Sequence, residues 1–187
     1  MAKIAAETAR LRLRDWDEAD EAKFYDVMNT APVMRHLGGV QTREEWHKAF
    51  ERIQGFTRDF DHTFWIVEDK QSYELLGFCG VKRVNAPGAG DLMDTPEIGW
   101  RLRESAWGQG IATEAAAASL GLAFERFGYP AVIALTIAAN VASQRLMKRL
   151  GMRRRADLDF EDTRFGPELN PSLVWRITAD EWRAARG

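Results

Sequence analysis

The segment Glu97-Ile98-Gly99-Trp100-Arg101-Leu102-Arg103-Glu104-Ser105-Ala106-Trp107-Gly108-Gln109-Gly110-Ile111-Ala112-Thr113-Glu114-Ala115 constrains the chain more than any other stretch. It reads as a short strand, a loop pivoting on Gly108 and Gly110, and the start of an alanine-rich helix. Glycine reaches backbone angles closed to other residues and lets a ligand approach the main chain, and a helix N-terminus offers amide donors with no partner inside the helix. The helix dipole adds partial positive charge there, so the junction suits a phosphate or pyrophosphate. Two familiar glycine loops do not fit. A P-loop requires Gly-Lys-Ser/Thr, whereas Gly110 is followed by Ile111-Ala112. A dinucleotide fingerprint needs a third glycine or alanine where this chain has Thr113 and Glu114.

Downstream, residues 111–127 are apolar nearly all round, with Ile111, Ala115, Ala118 and Leu122 on one line and Ala112, Ala116, Ala123 and Phe127 on another. Such a helix is buried on most sides. Gly128-Tyr129-Pro130 stops it, and Ala131 to Ile137 follows as a core strand. Strand, glycine loop, helix and strand make a βαβ unit, for which a right-handed crossover is expected. Asn140 is an N-cap candidate for a helix over 141–150 that Gly151 closes.

Upstream, Leu11 and Leu13 alternate with arginines as a strand. Asp15-Trp16-Asp17 offers caps for a helix to about Asn29, with Phe24, Val27 and Met28 facing inward. Pro32 interrupts. Thr42 with Glu45 has the capping-box form and opens a helix to about Arg58. Residues 63–68 and 74–81 read as a β-hairpin, and Ala156 to Phe160 pairs with Leu173 to Ile177 before a closing helix over 178–186.

Three separated motifs then agree in order and spacing. Trp107-Gly108-Gln109-Gly110-Ile111-Ala112-Thr113-Glu114-Ala115, preceded by Glu97-Ile98-Gly99-Trp100 and followed by Asn140-Val141-Ala142-Ser143 and Leu150-Gly151-Met152, resembles the GNAT superfamily of acetyl-CoA-dependent N-acetyltransferases. Within it the chain is similar to the branch that includes the enzymes acetylating the N-termini of ribosomal proteins. The resemblance implies an α/β fold with a mixed, mostly antiparallel twisted sheet of about six to seven strands. Helices cover both faces, and a central parallel strand pair splays apart to admit the pantetheine arm. It implies acetyl-CoA as co-substrate, with Trp100, Arg101 and Leu102 offering main-chain bonds to the arm. Trp107, Gly108, Gln109, Gly110, Ile111 and Ala112 would hold the pyrophosphate, and Asn140 and Ser143 would face the cofactor. Trp107 stands where the superfamily usually has Arg or Gln, and it packs on the loop or on the cofactor. The two helices before residue 60 would lie over the acceptor side.

The implied reaction is direct attack of a primary amine on the thioester. Glu97 lies where the superfamily often places a carboxylate that acts through water as base; otherwise it is a structural strand carboxylate. The tyrosine that commonly protonates the leaving thiolate is replaced by Met147, which cannot donate a proton. Ser143 is the substitute acid; otherwise it orients the thioester, or solvent protonates the thiolate. The acceptor is a protein N-terminus or a small amine such as a polyamine, amino acid or antibiotic. An alternative is a regulatory module that binds acyl-CoA without catalysis.

Bulk properties agree with this. A chain of 187 residues fits one acetyltransferase domain over 1–187, and a net charge of −2 gives no general attraction to nucleic acid or anionic membrane. The single cysteine, Cys79, excludes an internal disulfide and reads as a core residue. His36, His47 and His62 lack ligand spacing, so no metal is expected. The N-terminal residues lack the apolar run of a signal peptide, and no stretch is apolar enough to span a bilayer. A cytoplasmic location is expected, and exposed aromatic residues would allow a homodimer. Arg145, Lys148, Arg149 and the run from Arg153 to Arg155 are candidates for a terminal phosphate, but none is assigned against the simpler reading of a solvated basic face.

Overall fold

The computed structural model describes residues 2–186. Among these residues eight strands form one sheet: β1 (Ile4–Glu7), β2 (Leu11–Arg14), β3 (Phe64–Asp69), β4 (Leu75–Arg83), β5 (Pro96–Leu102), β6 (Ala131–Thr136), β7 (Arg153–Arg154) and β8 (Leu173–Thr178). Their order is β1-β2-β3-β4-β5-β6-β8-β7, antiparallel throughout except for β5 against β6. The count exceeds the expected one because β1 has little apolar alternation to announce it and β7 is two residues long.

Alternation along the strands gives the sheet two buried faces. Leu11, Leu13, Trp65, Val67, Cys79, Val81, Ile98 and Leu102 face α4 (Ile111–Gly121) and α5 (Val141–Arg149). Phe64, Ile66 and Phe78 point the other way and pack with α1 (Asp20–Met28), α2 (Ala31–Met34) and α3 (Arg43–Phe60). Helices thus cover both faces, and α6 (Ala179–Ala184) closes the chain beside β8. The capping box of Thr42 and Glu45 is formed, and α4 continues as a π-helical turn over Leu122–Arg126.

Three local expectations change. α1 begins at Asp20 rather than on Asp15 to Asp17, because the Asp20 carboxylate is drawn inward to Arg14, with bonds of 2.7 and 2.9 Å. Pro32 does not merely interrupt; it occupies the first turn of α2, whose N-cap Thr30 accepts from the Val33 amide at 3.4 Å. β8 pairs with β6 on one side and β7 on the other, not with residues 156–160, which turn through a 3-10 segment and touch β8's lead-in by one bridge, Phe160 to Ser172. The cause is Asp159: its carboxylate binds the Arg154 guanidinium and accepts from the Val174 amide at 3.0 Å, replacing a backbone partner.

Candidate active site

The parallel pair is registered at one position, Glu97 opposite Ile133. Beyond it β5 and β6 part, so β5 from Gly99 to Leu102 lacks a strand partner on the β6 side. The gap is lined by Trp100, Arg101, Leu135, Thr136, Asn140 and Ser143 and encloses about 250 Å³. The Thr136 hydroxyl is buried there without a hydrogen-bond partner. A neighbouring cleft of about 320 Å³ shares Trp100, Arg101, Asn140 and Ser143 and runs to Trp107, Gly108, Gly110, Ile111 and Ala112.

The glycine loop is built as its sequence requires. Gly108 has φ 73° and Gly110 φ 76°, in the left-handed region that favours glycine. The first bond of α4 is from the Glu114 amide to the Gly110 carbonyl at 3.1 Å. The amides of Ile111, Ala112 and Thr113 therefore have no partner inside the helix, and these residues line the cleft at the positive end of the dipole. Trp107, half-exposed, donates its indole N–H to the Leu102 carbonyl at 2.8 Å and so closes the loop onto the end of β5. The Gln109 side chain turns away from the cleft to the Ser105 carbonyl at 2.5 Å.

One anchor was not legible in the sequence. Arg10, in the turn between β1 and β2, donates to the Gln109 carbonyl at 2.9 Å and to Glu114 at 2.7 Å. Thr8 and the Arg10 amide bind the same carboxylate at 2.5 and 3.0 Å. Burial pushes the Glu114 titration up, but these bonds outweigh it and hold the carboxyl below its ordinary range. An acid in the first turn of α4 is thereby neutralised before it can repel an anion.

Across the gap, Asn140 caps α5 by accepting from the Ser143 amide at 3.2 Å. The Ser143 hydroxyl oxygen accepts the Trp100 indole N–H at 3.3 Å, leaving its own hydrogen free to be donated. Met147, one turn on, is buried against the same cavity. None of the three tyrosines lines these cavities: Tyr25 binds Gln41, Tyr129 binds His62, and Tyr73 is exposed. Glu97 lies on the opposite face of β5 but still borders the gap, and its carboxylate meets the Lys82 ammonium at 2.5 Å. A third cavity of about 320 Å³ opens there, between the sheet and α1 and α3, bordered by Trp16, Phe24, Trp46, Phe56, Phe64 and Phe78.

This geometry is matched by comparison. The model of the acetyltransferase (GNAT) domain matches residues 10–153. The chain belongs to the GNAT acetyltransferase family. The uncharacterized protein YkkB of Bacillus subtilis (strain 168) is 30% identical over 152 residues, covering 81% of this chain and 86% of that protein. The acetyltransferase from Agrobacterium tumefaciens str. C58 superposes with a TM-score of 0.76 at 25% identity, covering 92% of each chain. The ribosomal L7/L12 alpha-N-protein acetyltransferase RimL, in complex with coenzyme A, shares the fold with a TM-score of 0.75 at 15% identity, over 96% of this chain and 99% of that one.

A GNAT acetyltransferase uses acetyl-CoA as co-substrate, and the residues here suit it. Free amides at the start of α4 fit a pyrophosphate, the unpaired edge of β5 fits an amide-bearing arm, and the orphaned Thr136 hydroxyl lies where that arm would add an acceptor or donor. Of the basic residues in and after α5, Arg149 borders the cleft, whereas Arg153, Arg154 and Arg155 are engaged with Glu181, Asp159 and Asp157. His36, which has no ligand spacing in the sequence, borders both cavities, and burial, with Arg35 beside it, lowers its titration. No sequence pattern marks it, because α2 brings it there only through tertiary packing. No group of three or more His, Cys, Asp or Glu suited to a metal occurs among the described residues, and no helix is long and apolar enough to cross a membrane.

Proposed function

We propose that residues 1–187 form one N-acetyltransferase domain that moves the acetyl group of acetyl-CoA to a primary amine by direct attack on the thioester. The observation that carries this reading is the joined pair of cavities, in which the glycine loop and the splayed strands meet Ser143 and Trp100 on one side and open to the aromatic cavity on the other. Acetyl-CoA supplies an activated carbonyl carbon and a thiolate leaving group. The amides of residues 111–113 bind the pyrophosphate, and the main chain of Trp100, Arg101 and Leu102 orients the pantetheine arm. Glu97, held by Lys82, receives the amine proton through water as the carbon–nitrogen bond forms. Ser143, whose oxygen is already occupied by the Trp100 N–H, donates a hydrogen bond to the sulfur as the carbon–sulfur bond breaks and relays a proton from solvent to the thiolate, so that the hydroxyl ends as it began.

Calorimetric titration with acetyl-CoA, followed by thiol detection with an amine panel, tests this. Native protein should bind in the micromolar range and release thiol with at least one amine. Gly110→Trp, which places a bulky side chain at a left-handed position on the loop, should abolish binding while the fold survives by circular dichroism. Saturable binding without thiol release from any amine would favour a non-catalytic acyl-CoA module.

A further inference from the structure

Arg101 borders all three cavities. Strand alternation places its side chain on the same face of β5 as Glu97 and Gly99, toward α1 and α3. Its guanidinium carbon stands 5.7 Å from the Trp46 ring centre and 5.3 Å from that of Phe78. Among the described residues it has no carboxylate partner, its side chain makes no hydrogen bond, and its Nε is buried without an acceptor. Burial acts on it unopposed, lowering its pKa to about 10.

The neighbouring charges are already matched. Glu97 is paired with Lys82 at 2.5 Å and Asp162 with Arg164 at 2.6 Å. Arg52 borders the third cavity as another cation, on the exposed side of α3. The lining therefore carries an excess of positive charge, and the half-buried part of that excess is Arg101. Aromatic faces soften the cost of a desolvated guanidinium, but they accept no hydrogen bonds in its plane, and a guanidinium has five donors. A planar carboxylate satisfies two of them at once.

Building on the acetyltransferase reading, we propose that Arg101 is an acceptor-binding residue that takes a carboxylate, so that the acceptor is a primary amine bearing a carboxylate and an apolar or aromatic body, as in a free amino acid. The aromatic walls around Trp46, Phe64 and Phe78 take the body. A polyamine would bring further positive charge against an uncompensated cation. A protein N-terminus carries an amide where a free amino acid carries its carboxylate.

The test is a panel of the twenty L-amino acids, their carboxamides and the matching decarboxylated amines, assayed with acetyl-CoA by thiol release. At least one amino acid with a large apolar side chain should be acetylated with kcat/KM ten or more times that of its carboxamide and its decarboxylated amine. Arg101→Gln should erase that ratio by raising the acceptor KM ten-fold or more, Arg101→Lys should recover part of it, and acetyl-CoA affinity by calorimetry should stay within three-fold in both. Equal or better turnover of the carboxamides, the decarboxylated amines or spermidine overturns the proposal. So does turnover of no panel member by protein that binds acetyl-CoA, or an Arg101→Gln defect confined to acetyl-CoA binding. Failure of the native protein to bind acetyl-CoA instead sinks the acetyltransferase reading itself.

Discussion

Neutralising Glu114 should loosen the glycine loop from a distance. In Glu114→Gln the side chain keeps its shape and one acceptor for Thr8 and the Arg10 amide, but the ion pair with Arg10 at 2.7 Å is lost. Charge-assisted bonds contribute about 1.5–3 kcal/mol each when well buried. The Glu114 side chain is 20% exposed but that of Arg10 is 47% exposed, so solvent screening reduces the pair to about 1.5 kcal/mol. For a chain of this size that is a melting-temperature loss of about 3–6 °C. Arg10 also holds the Gln109 carbonyl at 2.9 Å, and a guanidinium no longer fixed by Glu114 holds it less well. If about 1 kcal/mol of loop order is lost, acetyl-CoA should bind about five-fold more weakly. The assay is a double-mutant cycle of Glu114→Gln and Arg10→Met, read by thermal melting and calorimetry. Each single variant should capture most of the double variant's effect, with a coupling energy of about 1 kcal/mol; effects that add within about 0.4 kcal/mol would refute the anchor. The pH dependence has a defined sign. Glu114 is held below its ordinary value of 4.5, so its contribution is present above that value and is lost as pH falls through the lowered one. The melting gap between native protein and Glu114→Gln should therefore close as pH is brought from neutrality to about 4 and below, and a constant gap would contradict the assignment.

Two further outcomes are expected. Ser143→Ala removes the hydroxyl that the Trp100 indole holds in the gap, so kcat should fall by about 100-fold, with acetyl-CoA affinity within about three-fold; an unchanged kcat would reduce Ser143 to packing. Cys79 is fully buried, with burial pushing its thiol up to about 12 despite a bond from Ser119, so native protein should resist a thiol-specific reagent at pH 8 and react only on unfolding. Prompt labelling of native protein would mean that the sheet opens locally far more often than its packing allows.

Much of the fold follows from patterns that act over a few residues. The alternation of Leu11 and Leu13, the capping box of Thr42 and Glu45, the apolar helix after Gly110 and the Asn140 cap each depend on near neighbours, and each is present. The same holds for the glycine loop, whose two left-handed residues follow from backbone sterics. Sequence reasoning failed where a side chain displaced a local preference. Asp159 bonds to Arg154 and the Val174 amide, turning a stretch with strand-like composition away from the sheet. Asp20 moves the start of α1 by answering Arg14 from the neighbouring strand.

The candidate site divides along the same line. By itself the sequence determined the glycine loop, the helix that follows it, the strand before it and the absence of a tyrosine at Met147, because these are contiguous and are set by residue type and spacing. Only the tertiary structure decided that Arg10 steadies the loop from about 100 residues away. It alone decided that Lys82 answers Glu97, that Trp100 holds Ser143, and that Arg101 stands between aromatic walls without a counter-charge among the described residues. Those facts depend on which strands become neighbours and which face each side chain takes, and that is settled by burial of the whole apolar surface rather than by any one segment.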